Sequence, residues 1–145
     1  MIIRKLFFFI ALLTGLVSCQ KPLDNFNLSS PDGKLSVGIA LIDNKLNYQI
    51  DSGDIESIGI SELEIFPNAS VTILEASEIE NDDSWKPVWG QQSNIRNNYK
   101  ELQLDIDIDG VSGKLLARAY NEGVAFRFVL DEGEKPAEAI FKCEY

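Results

Sequence analysis

Trp85 and Trp89 stand inside SWKPVWGQQSNIRNNYKEL, residues 84–102, and are the only tryptophans of the chain. An indole ring can stack on the apolar face of a pyranose while amides and cations around it hydrogen-bond the hydroxyls. Gln91, Gln92, Asn94, Arg96, Asn97 and Asn98 supply such a polar set, and Lys86 adds a cation. The same two rings could instead pin a long loop onto the fold or anchor it on a neighbouring domain, because tryptophan buries a large area and concentrates interface energy. The stretch follows neither a two-residue nor a 3.6-residue apolar period, so it reads as irregular. Both uses stay open on residue types alone.

The remaining chemistry belongs to carboxylates. There is no histidine, which removes Ser-His-Asp and Cys-His catalysis and imidazole-bound zinc or iron. Hard, oxygen-bound cations such as calcium are what the residue types still permit. DIDIDG (Asp105, Asp107, Asp109, Gly110) opens like a calcium loop, but the twelfth position from Asp105 is Leu116, where a bidentate glutamate belongs. Ile106 and Ile108 make the run a strand alternation, so these aspartates are expected on a solvated face. Glycoside hydrolysis needs two carboxyl groups ~5–9.5 Å apart; among 23 acidic residues the sequence marks no such pair. Arg118 and Arg127 fall inside strand patterns, where an arginine pairs with a carboxylate or covers an apolar face with its stem. Neither is assigned to a ligand. No catalytic residue, metal ligand or cofactor is assigned within this chain.

The elements around these residues begin with a leader. Residues 1–18 carry Arg4 and Lys5, an apolar run from Leu6 to Val17 and then Ser18, and Cys19 follows them. That layout reads as a secretory signal peptide, and the run is short of the ~20 residues of a membrane-spanning helix. Its end looks like a bacterial lipobox, with Cys19 as the lipid-bearing first residue of the mature chain; an ordinary cysteine near a standard cleavage site is the alternative. Residues 19–25 read as a tether, and 26–145 as one domain. Removing residues 1–18 takes away Arg4 and Lys5, so net charge moves from −10 to −12. So acidic a surface repels phosphate backbones, which argues against nucleic-acid partners. Membrane attachment would rest on acyl chains alone. With Cys19 modified, Cys143 has no partner for a disulfide and reads as a small buried residue. Gln20 carries no evident inner-membrane retention signal, so the outer membrane or periplasm is the expected location.

Alternation of period two runs through the rest. Leu35, Val37, Ile39 and Leu41 share one face, as do Leu46, Tyr48 and Ile50, with Asp43-Asn44 as the turn between them. Short strands are expected at about Ser57–Ile65 and Ser70–Leu74, separated by Pro67-Asn68. Leu102, Leu104, Ile106 and Ile108 alternate into a turn at Asp109-Gly110. The next strand puts Leu115, Ala117 and Ala119 on one face and Leu116, Arg118 and Tyr120 on the other. Asn121-Glu122-Gly123 turns the chain again before Val124, Phe126, Phe128 and Leu130. The fold class is all-β: an antiparallel β-sandwich of seven or eight strands containing a three-stranded meander.

Two irregular motifs carry a family resemblance. Trp85–Gly90 followed by Ile95–Leu102 resembles a Trp-Lys-Pro-x-Trp-Gly segment and an Ile/Val-Arg-Asn-x-Tyr-x-Glu-Leu segment of the amino-terminal domain of glycoside hydrolase family 97. Arg118–Phe128, RAYNEGVAFRF, resembles that domain's Arg-x-Tyr-x-x-Gly-Val-Ala-Phe-Arg-Tyr/Phe strand pair. The likeness spans about residues 26–130. It implies an exported, often lipid-anchored α-glycosidase acting on α-glucosides or α-galactosides, with calcium in its site. It also implies the first part of a galactose-mutarotase-like β-super-sandwich, followed in the family by a catalytic (β/α)₈ barrel. Such a barrel needs ~250 residues and does not follow within this sequence. By the resemblance, the catalytic carboxylates and calcium ligands lie beyond residue 145. The chain therefore reads as a non-catalytic, carbohydrate-binding-like domain supporting a barrel, or as a self-standing lipoprotein that binds glycans. Trp85, Lys86, Trp89, Arg96 and Asn97 are the candidate contacts to barrel or glycan, and Cys19 the candidate lipid attachment.

Overall fold

A computed structural model describes residues 26–89 and 93–131, together with the backbone of Lys142–Cys143. The leader, Cys19, the tether, Gln91 and Gln92 lie outside the described residues. Among the described residues nine strands run in chain order: β1 Phe26–Ser29, β2 Leu35–Ile42, β3 Lys45–Ser52, β4 Ile55–Glu64, β5 Val71–Trp85, β6 Ile95–Ile108, β7 Val111–Tyr120, β8 Gly123–Leu130 and β9 Lys142–Cys143. They form two antiparallel sheets, in order β1-β2-β3-β4-β9 and β5-β6-β7-β8.

The alternation in the sequence becomes the core. Val37, Ile39, Leu46 and Tyr48 of the first sheet meet Leu102, Leu104, Ile106, Ile108, Leu115, Ala117 and Ala119 of the second, all of them buried. Tyr48 crosses to Phe126 edge-on, with ring centroids 5.0 Å apart. Asp43 and Asn44 both adopt positive φ, as do Asp109 and Gly110. That is the geometry a two-residue hairpin loop needs to match strand twist. The carbonyl of Asn44 accepts from Val71 N–H at 2.7 Å, and Asp109 N–H donates to Ser70 O at 3.1 Å. These bonds tie both turns to the start of β5.

Two expectations need correction. The strand foreseen at Ser70–Leu74 runs on to Trp85, and the stretch read as irregular is a hairpin: Ser84 and Trp85 end β5, and Ile95–Leu102 lie in β6. The reason is a bulge. Ile73 opposes Ile106, Glu75 opposes Asp105, and Leu74 is extra. The bulge shifts the phase, so Val71 and Ile73 face the core before it and Ala76, Glu78 and Glu80 take that side after it. A strand that swaps parity and turns polar loses the apolar alternation that would announce it. The three-stranded meander is present as β6–β8, with β5 as a fourth member.

Candidate functional site

The β5–β6 ladder is in register from Val71↔Ile108 to Trp85↔Ile95. Strand parity then sorts its residues onto two faces. Ile79, Asn81, Asp83 and Trp85 of β5 share the outward face with Ile95, Asn97, Tyr99 and Glu101 of β6 and with Leu116, Arg118 and Tyr120 of β7. Glu78, Glu80, Asp82, Arg96, Asn98 and Lys100 take the opposite side, which faces the first sheet where that sheet reaches.

A buried carboxylate lies at the base of the outward face. Glu101 is 2 % exposed. Arg118, its register partner on β7, donates Nε–H to one carboxylate oxygen, and Gln103 donates to the other at 2.5 Å. The guanidinium of Arg118 sits 4.3 Å from the ring centre of Tyr99, and Tyr99 and Tyr120 pack with centroids 5.4 Å apart. The hydrogen bond to Glu101 holds the Arg118 pKa well above the ordinary arginine range, against the opposing effect of burial. Held between Arg118 and Gln103, this carboxylate locks β6 to β7.

Above this cluster the face becomes polar and then apolar at the tip. Asn81 donates Nδ2–H both to Asp83 and to the Asn97 carbonyl, each at 2.9 Å. Trp85, Val88 and Trp89 end the hairpin at 53 %, 95 % and 89 % exposure, and Lys86 beside them is exposed. The tryptophans are therefore not pinned onto the sandwich. Asn97 shares the face of Trp85, but Arg96 does not. Arg96 grips Asp82 through two bonds of 2.8 Å, from Nε to Oδ1 and from Nη2 to Oδ2. Its hydrogen bond lowers the Asp82 pKa and raises its own. Lys100 pairs with Glu80 at 3.0 Å. Glu80, Lys100 and Asp82 line a shallow polar groove with Pro31, Asn81, Asn98 and Tyr99. The proposed polar set is thus divided between two faces, and Arg96 is already bound to a carboxylate.

Sequence reading missed the Glu101–Arg118 pair, although the signal was available. Glu101 lies eight residues before Asp109 and Arg118 eight after Gly110, so a two-residue turn there makes them cross-strand partners. The aspartates of DIDIDG do not suit calcium. Asp105 pairs with Lys114, Asp107 accepts from Gly110 N–H at 2.9 Å, and Asp109 accepts from Ser70 N–H at 3.2 Å. Among the described residues no three metal-ligating side chains converge.

Comparison with known proteins places this geometry. A retaining alpha-galactosidase of Bacteroides thetaiotaomicron is 27 % identical over 143 residues, which cover 94 % of this chain and 21 % of that protein. A glycoside hydrolase family 97 enzyme of a Pseudoalteromonas species, solved with panose and with acarbose, shares the fold at a TM-score of 0.65 and 19 % identity over 75 % of this chain and 18 % of its own. A beta-arabinopyranosidase matches at a TM-score of 0.68 and 19 % identity, over 82 % and 20 % of the two chains. The chain thus spans about a fifth of the length of the relatives it matches. The family model described as "Glycosyl-hydrolase 97 N-terminal" matches residues 28–144, nearly all of the domain whose fold is described above, and the chain belongs to that family.

Proposed function

We propose that this chain is a non-catalytic accessory domain of an α-glycosidase, presenting its β5–β6 hairpin tip to a catalytic module. The observation that carries this reading is the tip itself. Trp85, Val88 and Trp89 are three large apolar side chains held in solvent by two paired strands, and exposed apolar clusters mark interaction sites. The buried carboxylate below them is bound by Arg118 and Gln103, which gives it a structural use beneath the tip. In this reading the catalytic carboxylates and any calcium belong to the partner module, and the substrate is an α-glucoside or α-galactoside. In this reading the basic and apolar leader and Cys19 support an exported domain held at the cell envelope by a lipid.

A second reading is favoured by the same tip: a surface lipoprotein that stacks a glycan on Trp89. The panose and acarbose complexes of the Pseudoalteromonas enzyme make malto-oligosaccharides the ligand to try. One titration separates the readings. Purified chain without its leader should not hydrolyse aryl α-glucosides or α-galactosides, and malto-oligosaccharides should leave its tryptophan fluorescence unchanged. A saturable fluorescence change abolished by Trp89→Ala in a chain that stays folded would establish the glycan binder. Turnover abolished by one carboxylate substitution would overturn both.

A further inference from the structure

On the side of the β5–β6 hairpin away from Trp85 lies the polar groove, with a volume of about 390 Å³. That is within the range of small-molecule sites, about 300–1,000 Å³. One wall is the hairpin, with Glu80, Asp82, Asn98 and Lys100, and the other is Pro31 in the turn between β1 and β2. Trp85 lies on the opposite face by register, so the groove is separate from the tip.

Both walls are fixed before any ligand arrives. Lys100 pairs at 3.0 Å with Glu80, its register partner. Asp82 lies opposite Asn98 in the ladder but is gripped diagonally by Arg96, through two bonds of 2.8 Å. Asn98 therefore sits between two ion pairs on one face of β6. The Pro31 wall is set by its neighbours. Ser30, 1 % exposed, donates its hydroxyl to Asp32 at 2.8 Å and accepts from Leu35 N–H at 3.0 Å. Asp32 N–H donates to the Asn121 side chain at 3.1 Å, which ties this turn to the one between β7 and β8. Walls held in this way lose little freedom on binding.

The polar groups left over define the ligand. A carboxylate offers about four acceptor sites. Arg96 uses two on Asp82 and Lys100 one on Glu80, so both acids can accept more. The side-chain amide of Asn98 is half-buried and has no hydrogen bond among the described residues. It offers donors and an acceptor at the centre of the groove. The acids and the lysine that line the groove are all engaged in ion pairs. A charged ligand would have to break one of these pairs. Hydroxyls can instead donate to the spare carboxylate sites and bridge to the Asn98 amide, and the Pro31 ring gives the C–H side of a sugar ring an apolar surface.

We propose that this groove binds an uncharged sugar of mono- or disaccharide size, held by Asn98, Glu80 and Asp82. The choice of a sugar rests on the glycosidase-accessory reading. The site does not, because it uses neither Trp85 nor Trp89. That reading is decided by turnover and by the tip, this one by Asn98.

The test is a titration of the isotope-labelled chain, without its leader, with maltose, followed by NMR. The expected result is a saturable shift of the Asn98 side-chain amide and of the Asp82 and Lys100 backbone amides, with a dissociation constant on the order of 1 mM. The Trp85 and Trp89 indole signals should stay in place. Asn98→Ala should weaken binding at least tenfold while circular dichroism is unchanged. No shift at Asn98, or shifts at the indoles alone, overturns the proposal. Equally tight binding of sorbitol, which has the hydroxyls without the ring, overturns it too. So does tighter binding of glucose 6-phosphate, which would make the groove an anion site.

Discussion

Glu101 and Arg118 show how a residue pair can matter without reacting. Glu101 is almost without solvent, and half of its hydrogen bonding comes from one guanidinium. Arg118→Met would leave that carboxylate buried and unpaired, a situation that typically costs 3–5 kcal/mol. Arg118 keeps more than a third of its own side-chain surface in solvent, so water can reach the gap and the expected loss is nearer ~2–3 kcal/mol. Urea unfolding of the variant measures it, and the double variant Glu101→Leu, Arg118→Met should regain most of the loss. A double variant no more stable than Arg118→Met would show that the arginine acts through its stem and Tyr99 instead. At this scale the sequence was half legible. It placed Arg118 in a strand with a carboxylate as one of two partners, but not which carboxylate. It grouped Arg96 with Trp85, because position along the chain hides the parity that sends them to opposite faces.

Elements were legible where the core enforces alternation and illegible where it does not. β2, β3 and β7 each bury one apolar face and lie where the alternation and its turns put them, whereas β6, expected from Leu102, begins at Ile95. β5 escaped beyond Leu74 because the bulge reverses its parity and the residues that follow face water. The close approach of β7 and β8 is a second feature set at this level. A methyl group on Gly113 would come within 2.6 Å of Val129 O and 3.1 Å of Leu130 Cα. Neither is the flexible end of a side chain, so β8 would have to move. Gly113→Ala should therefore destabilise the domain by about 1–3 kcal/mol, read as a lowered urea midpoint with an unchanged slope. An unchanged midpoint would mean that β8 shifts freely.

For the molecule as a whole, fold class and family were legible from periodicity and two motifs, while the nature of the tip was not, since burial is a property of three dimensions. The lipid attachment proposed at Cys19 has a direct test. Cys19→Ser should release the processed protein from membranes, because acyl chains supply ~0.8 kcal/mol per buried methylene. Continued fractionation with membranes after leader cleavage would point to another anchor. The order of strands in the two sheets has one more consequence, for how the chain reaches this state. β1 to β4 are consecutive neighbours in one sheet and β5 to β8 in the other, and four of their connections are two-residue loops. Closure entropy rises with loop length, so each sheet can zip from its own turns at small cost, hairpin by hairpin. Only the meeting of the two sheets and the return of β9 to β4 join distant parts of the chain. Topology of this kind puts the slow step at the closing of the core, after the ladders have formed.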